Sequence, residues 1–250
     1  MRYIFVTGMG RSGTTWFTNL LHGIPGVKAH HEYIDDKWLT VVSRYVCHDN
    51  YTIPFLERSK AAIESSHPAD ATFIDVNNYL RYSVPALRKV FEGCAVFHLV
   101  RDPRTAIPSL YLRRGESAAF SLPITAEDGR WLLDADKFER TCWTWVDTTK
   151  RLIEDGTELL LFERLLSDYD YLETRFLGPM GLKLSKDEWQ AKKEVRVNRT
   201  RSKLIRYLHA KLNHKNYVAD QLPPYSKWPD ARKQAFERIC GEIRRQVGYV

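Results

Sequence analysis

A glycine-rich loop between a predicted strand and a predicted helix constrains this chain more than any other feature. The apolar residues Tyr3–Val6 predict a buried strand and residues 14–22 predict a helix, and the loop between them contains Gly8, Gly10 and Gly13. Such a loop directs several backbone N–H groups to one point at the positive end of the helix dipole. The order of strand, glycines, paired threonines and helix therefore predicts a phosphate-binding loop rather than a turn in which glycine only permits sharp geometry.

The loop lacks the lysine of an ATP-binding loop. The spacing from Gly8 to Gly13 fits a Walker A loop, but Thr14 stands where a lysine would reach the outer phosphates of ATP. The cation lies instead within the loop, at Arg11. This substitution argues against an ordinary ATPase or kinase. A P-loop small-molecule kinase that uses Mg²⁺ and a lysine from elsewhere in the chain stays open as an alternative.

Size and composition indicate one globular domain over residues 1–250. Of the 250 residues, 44% are hydrophobic and 28% are charged, as in ordinary globular enzymes. No apolar run approaches the roughly 18 residues of a membrane span. The sequence shows no signal peptide, and its four cysteines are dispersed without a CxxC pair. These features predict reduced thiols in a cytoplasmic protein.

Strand and helix patterns alternate along the chain. Strands are predicted at 3–7, 72–75, 95–100 and 158–162, and helices at 14–22, 35–47, 54–65, 79–91, 103–113, 135–154 and 229–247. This alternation predicts βαβ units in an α/β fold with a central, mainly parallel sheet, and ligands at the carboxyl ends of its strands. The weakly periodic segments 115–133 and 183–228 are predicted to cover the site or to bind substrate.

The net charge of +7 is concentrated in one segment, residues 192–206, which contains seven basic residues and one acidic residue. Charge runs are often solvated surfaces. Nucleic-acid binding would require interleaved aromatic residues, and the run has none before Tyr207. We interpret the segment as a basic rim for a polyanionic nucleotide or an acidic substrate. A non-enzymatic nucleotide- or RNA-binding module stays open as a second alternative.

A second candidate anion site follows the predicted strand Val96–Val100. Asp102 is a favourable N-cap and Pro103 suits the first position of the next helix, so Arg101 stands at the carboxyl end of the strand. This is the sheet edge at which the glycine-rich loop is predicted. A guanidinium there is suited to bidentate phosphate binding, and Ser109 follows about two helical turns later.

Together the two motifs resemble those of a known enzyme family. Residues 8–16, GMGRSGTTW, resemble the 5′-phosphosulfate loop of sulfotransferases, and residues 96–111, VFHLVRDPRTAIPSLY, resemble their 3′-phosphate motif. The resemblance, to the bacterial and carbohydrate branch, implies a three-layer αβα fold like that of P-loop NTPases. It also implies in-line transfer of a sulfuryl group from 3′-phosphoadenosine 5′-phosphosulfate (PAPS) to an acceptor hydroxyl or amine, without a metal. The product nucleotide would be 3′-phosphoadenosine 5′-phosphate (PAP).

The resemblance also implies roles for individual residues. The residues that would hold the 5′ end of the nucleotide are Arg11, Ser12, Gly13, Thr14, Thr15 and Trp16. Arg101 and Ser109 would hold the 3′-phosphate, and Arg11 with the loop amides would stabilise the leaving phosphate. Glu32, which follows the first helix, matches the glutamate that serves as general base in this branch. Its neighbour His31 is the second candidate for the base.

The sequence departs from the family at two elements. Val76 stands where many members carry a lysine that neutralises the bridging oxygen, so Arg11, Lys28 or a residue of segment 192–206 would have to supply that charge. The C-terminal glycine-rich element of cytosolic members is absent, and Arg199 is the candidate to close over the nucleotide. The expected partner is a small-molecule, saccharide or lipid acceptor, with no nucleic acid.

Overall fold

A five-stranded, all-parallel sheet forms the centre of the protein. The computed structural model describes residues 1–36, 38–45, 50–112, 122–193 and 222–250. Within these residues the strands are β1 (Arg2–Thr7), β2 (Val27–His31), β3 (Thr72–Val76), β4 (Ala95–Val100) and β5 (Glu158–Leu161). They are ordered β2-β3-β1-β4-β5. The predicted α/β fold with a parallel sheet is confirmed.

Helices follow the strands as the alternation predicts. They are α1 (Thr14–Leu21), α2 (Leu39–Tyr45), α3 (Thr52–Ser66), α4 (Val84–Val90), α5 (Pro103–Tyr111), α6 (Ala126–Asp134), α7 (Lys137–Glu154), α8 (Phe162–Ser167), α9 (Tyr169–Leu172), α10 (Lys186–Lys193) and α11 (Asp230–Gln246). Short 3₁₀ turns occupy Asn78–Tyr82 and Tyr225–Lys227, and a π-type turn occupies Glu173–Leu177. The described parts of segments 115–133 and 183–228 contain α6 and α10, and their role as covers stays a prediction.

Two helical layers cover the two faces of the sheet. On β1, Ile4 and Val6 pack against α1 and the helices after β5, whereas Tyr3 and Phe5 pack against α3 and α4 on the opposite face. Further along that second face, α5, α7 and α11 form a continuous apolar layer. The alternation of side chains along a strand explains this division, since successive residues face opposite sides of a sheet. The protein is therefore a three-layer αβα structure.

Strand β2 is an element that the sequence patterns did not predict as a strand. Only Ala29 is buried within Val27–His31, because β2 lies at the edge of the sheet. An edge strand of this kind carries little apolar alternation. It nevertheless determines the site, because it brings His31 to the same sheet edge as the loop after β1.

Three cysteines lie in the described part of the chain. Cys94, Cys142 and Cys240 are free thiols, and Cys142 and Cys240 are buried in the layer of α7 and α11. Cys47 lies outside the described residues. No helix in the described ranges combines the length and the apolar character needed to cross a membrane.

Candidate active site

The loop after β1 fits tightly between two neighbouring elements. Gly13 has φ of 99°, a left-handed value that disfavours other residues, and a Cβ added there would overlap the ring of Phe162. A Cβ added at Gly8 would overlap the carbonyl oxygen of Leu99 in β4. Both glycines are therefore required by close approach of the backbone. This geometry agrees with the predicted phosphate-binding loop.

Two of the predicted nucleotide-binding residues lie within the loop, one held by hydrogen bonds and the other in a strained backbone conformation. Ser12 is buried, and both its N–H and its hydroxyl donate to the carbonyl oxygen of Met9, at 3.3 and 2.5 Å. Arg11 has φ of 77°, a conformation that costs a non-glycine residue on the order of 1–3 kcal/mol. Strain of this kind persists where the surrounding structure enforces it, which is common at functional sites.

The two predicted anion-binding motifs meet at Arg11. The Nε of Arg11 donates to the Oγ of Ser109 on α5 at 2.9 Å, although the residues are 98 positions apart. The Nη1 of Arg101 donates to the backbone carbonyl of Arg11 at 3.2 Å. The loop and the residues after β4 therefore form one site rather than two separate ones.

Arg101 is held from several sides. Its Nε donates to the Oγ1 of Thr105 at 3.0 Å, its guanidinium lies over the ring of Phe162 at 5.4 Å, and the carboxylate of Glu163 lies 3.9 Å away. Burial lowers the pKa of Arg101, while Glu163 opposes that shift. An arginine keeps its charge through shifts of this kind. The side chain thus presents a fixed cation beside the loop.

Glu163 and Tyr249 support this half of the site, and the sequence analysis assigned no role to either residue. The carboxylate of Glu163 accepts from the backbone N–H of Asp102 at 3.2 and 3.3 Å. The hydroxyl of Tyr249 lies 2.6 Å from Glu163 Oε2 and 3.1 Å from the carbonyl oxygen of Val100. Burial, followed by Glu163, raises the pKa of Tyr249, which therefore stays a neutral donor. The end of β4 is thus fastened to the C-terminal segment.

His31 and Glu32 lie at the other end of the loop. The Nε2 of His31 is 3.0 Å from the hydroxyl of Thr14 and 3.2 Å from that of Thr15. Its Nδ1 is 4.0 Å from Glu32 Oε2. The amide of Asn78 donates to Glu32 Oε1 in a short hydrogen bond. The sequence predicted both His31 and Glu32 near the loop. The structure places the ring of His31 against the two threonines and the carboxylate of Glu32 beside that ring.

The turn that presents Glu32 is held by a buried carboxylate. Glu32 has φ of 57°, in the left-handed region. Asp75 is fully buried in β3 and accepts from the backbone N–H groups of Tyr33 and Ile34, at 2.9 and 3.2 Å, and from Asn77 Nδ2 at 3.0 Å. Burial raises the pKa of Asp75 to about 6. Sequence analysis missed this positioning role, because a buried aspartate in a strand has no sequence signature.

Two other positions that the resemblance singled out are largely buried. Val76 packs in the core on the α1 side of the sheet, so the place of the family lysine is filled by an apolar side chain. Trp16 is 8% exposed and meets the ring of Phe162 edge-on at 5.5 Å. Its Nε1 is buried without a hydrogen-bond partner among the described residues. The contact of Trp16 with the nucleotide stays a prediction.

Two of the basic residues proposed for the rim or for the missing charge have other partners. Lys192 donates to the carbonyl oxygens of Leu20 and His22, and so caps the C-terminus of α1. Lys193 lies over the ring of Trp189 at 4.1 Å. Lys28 is exposed on β2, three residues before His31. Arg199 and the rest of the basic segment lie outside the described residues.

Comparisons with known proteins identify the fold. No protein-family model matches the chain, and no curated protein matches its sequence. The sulfotransferase domain from the curacin biosynthetic pathway aligns over 100% of this chain and 98% of its own length, at 12% identity and a TM-score of 0.57. The sulfotransferase domain of the olefin synthase from Synechococcus PCC 7002 aligns over 96% and 94%, at 12% identity and a TM-score of 0.51. The chain therefore has the fold of these sulfotransferase domains.

Proposed function

We propose that the protein is a PAPS-dependent sulfotransferase. The observation that carries this proposal is the junction of its two motifs, in which Arg11 bonds Ser109 at 2.9 Å and Arg101 bonds the Arg11 carbonyl at 3.2 Å. Two neighbouring anion-binding features at one sheet edge suit a nucleotide that is phosphorylated at both ends. The shared fold with two sulfotransferase domains supports the same assignment.

Each half of the site would bind one end of the donor nucleotide. The loop amides, with Ser12, Gly13, Thr14, Thr15 and Trp16, would surround the 5′-phosphosulfate at the positive end of the α1 dipole. Arg101 and Ser109 would hold the 3′-phosphate, where a guanidinium is favoured because of its forked geometry. Arg11, which belongs to the loop and contacts Ser109, connects the two halves.

The transfer itself follows from this arrangement. The acceptor oxygen attacks sulfur, the bond between sulfur and the 5′-phosphate oxygen breaks, and the acceptor proton passes to Glu32. The leaving phosphate gains negative charge, which the loop amides and Arg11 would stabilise. Catalysis of this type depends mostly on positioning and charge stabilisation. The hydrogen bond from Asn78 and the constrained turn at Glu32 hold the base for this role.

The acceptor is proposed to be a small-molecule, saccharide or lipid hydroxyl, and the location to be cytoplasmic. The three described cysteines are free thiols, which supports a reducing compartment.

Calorimetry with PAP, 5′-AMP and ATP tests the nucleotide assignment, followed by an acceptor screen with labelled PAPS. We expect PAP to bind more tightly than 5′-AMP, and label to pass from PAPS to an acceptor. ATP consumption that requires Mg²⁺, without a response to PAPS, would identify a kinase instead. Salt-sensitive RNA binding that survives Arg101→Ala would identify a nucleic-acid-binding module.

A further inference from the structure

The chemistry proposed above needs a positive charge on the 5′ side of the nucleotide, and two usual positions for it hold uncharged residues. Thr14 stands at the lysine position of a Walker loop, and Val76 is buried in the core. Arg11 belongs to the loop, but its Nε is bonded to Ser109, on the side of Arg101. On the side of Thr14 and Thr15, the ring of His31 contacts both hydroxyls and can carry a positive charge.

Strand alternation turns His31 toward the loop and its neighbour away from it. Ala29, two residues before His31, packs in the core on the α1 side. His30 faces the opposite side, where its Nε2 is 3.1 Å from the Nε2 of His67 and its ring stacks on Phe73. The two adjacent histidines thus have separate surroundings. His30 is a matched control for any change made at His31.

Donor counting indicates which protonation state of His31 a bound anion favours. A threonine hydroxyl has one hydrogen, so when Thr14 and Thr15 donate to a phosphate oxygen, each can only accept from His31. The Nε2 of His31 must then carry a proton. Its Nδ1 faces the Glu32 carboxylate at 4.0 Å, and an ionised carboxylate only accepts. Both ring nitrogens therefore face acceptors when the anion is bound, which is the requirement of an imidazolium.

We propose that His31 is a second cationic group of the 5′ side, in addition to Arg11, and that it becomes protonated when the nucleotide binds. The inference rests on the proposed sulfotransferase function. During transfer the bond between sulfur and the 5′-phosphate oxygen breaks, and its electron pair stays on that oxygen. The imidazolium, through the two threonine hydroxyls, offsets the charge that develops there. Glu32 takes the acceptor proton, so His31 and Glu32 have opposite roles.

The charged groups around His31 explain why protonation is coupled to binding. The N-terminus of α1 disfavours a cation at His31, while Glu32 favours one and Asp75 lies behind the same turn. Arg11, in the same loop, adds further positive charge. A nucleotide phosphate bound at the loop would add negative charge on the side of His31 that faces Thr14 and Thr15. Binding should therefore raise the proton affinity of the ring.

Proton uptake on PAP binding tests the inference without a requirement for turnover. Calorimetry at about pH 7.5, above the usual imidazole pKa of about 6.5, is carried out in buffers of low and high ionisation enthalpy. We expect wild-type protein to take up more protons with PAP than His31→Gln does, and His30→Gln to match the wild type. Free PAP is identical in the three experiments, so a difference in proton uptake between wild type and His31→Gln arises in the bound complex around His31. Adenosine 3′-phosphate, which lacks the 5′-phosphate, should show no difference between wild type and His31→Gln.

Substitution with lysine separates the cation from the alternative role of His31 as base. We expect His31→Gln to weaken PAP binding about tenfold, because a charge-assisted contact is lost. His31→Lys should retain much of the affinity and of the turnover with an acceptor from the screen, since it restores a cation. A protonated lysine cannot accept the acceptor proton, so a His31 that serves as base would make His31→Lys as inactive as His31→Gln.

Failure of this inference is distinguishable from failure of the proposed function. If PAP binds and Arg101→Ala weakens its binding, but proton uptake is the same in wild type and His31→Gln, only the role of His31 is overturned. If His31→Lys is inactive while His31→Gln keeps its turnover, the cation is likewise excluded. If PAP does not bind to the wild type, the proposed function itself fails.

Discussion

Arg101 contacts the loop after β1 at Arg11, and His31 contacts the first residues of α1, Thr14 and Thr15, but the two side chains are held in different ways. Arg101 has a permanent charge and is fixed by Thr105, Phe162 and Glu163. His31 lies on an edge strand, and Glu32 lies on a turn with a positive φ.

The difference matches the demands that the proposed function would place on each half. Recognition of a phosphate that does not react requires a charge that never changes, and arginine meets this condition. Transfer of a group requires residues that gain and lose protons, which limits the choice to histidine and carboxylates near neutral pH. The half around Arg101 should therefore govern affinity, and the half around His31 and Glu32 should govern turnover and pH response.

The largest expected effect separates turnover from affinity at Glu32. Glu32→Gln keeps the size of the side chain but removes the proton acceptor, so we expect turnover to fall by about 10² to 10⁴-fold. PAP affinity should fall by less than the tenfold expected for His31→Gln, because Glu32 acts on the bound nucleotide only through His31. Transfer from labelled PAPS and calorimetry with PAP measure the two quantities. Turnover retained in Glu32→Gln would contradict the role of Glu32 and favour His31 as base.

A substitution at Asp75 tests how the free energy of unfolding depends on pH. Its folded-state pKa of about 6 exceeds the usual 3.8, so the folded protein binds more protons than the unfolded chain between these values. The stabilisation is complete below about pH 4 and is lost as the pH rises through about 6. Relative to Asp75→Asn, we expect the free energy of unfolding of the wild type to increase by about 2.4 kcal/mol between pH 7 and pH 4. Urea unfolding across this range measures it, and parallel curves for the two proteins would refute the shift.

Substitutions at Arg101 test the part of the site that carries the permanent charge. Arg101→Ala should weaken PAP binding by about 2 kcal/mol, or roughly 30-fold, because a charge-assisted contact to the 3′-phosphate is lost. Binding of 5′-AMP, which has no 3′-phosphate, should change far less. Arg101→Lys is the matched control, because it keeps the charge and loses the forked geometry. An equal loss for PAP and 5′-AMP would place Arg101 away from the 3′-phosphate.

A substitution at Tyr249 tests the contacts that support the region around Arg101, and it has the smallest expected effect. Tyr249→Phe removes the hydroxyl that meets Glu163 and the carbonyl of Val100, so we expect the free energy of unfolding to fall by about 1 kcal/mol. Affinity for PAP should fall a few-fold, while the pH dependence of turnover stays unchanged. A change in that pH profile would show that the two halves are coupled. Denaturant unfolding and calorimetry provide the measurements.

Much of the fold and part of the site could be predicted from the sequence. The parallel sheet and the loop after β1 follow from local patterns, and so do the N-cap Asp102 and the position of Arg101 at the end of β4. Strand β2 could not, because an edge strand with one buried residue has no apolar alternation. The supporting roles of Asp75, Glu163 and Tyr249 could not either, since each depends on partners distant in sequence.

The sequence by itself determined the loop after β1, because glycines, threonines and a helix start act within a few residues of one another. Tertiary structure alone decided which side chains meet that loop. Arg11 reaches Ser109 across 98 positions, and Tyr249 reaches Glu163 across 86. Such contacts depend on the order and register of the strands, which place distant residues at one sheet edge. The placement of Arg101 on one side of that loop, and of His31 and Glu32 on the other, is a result of that order.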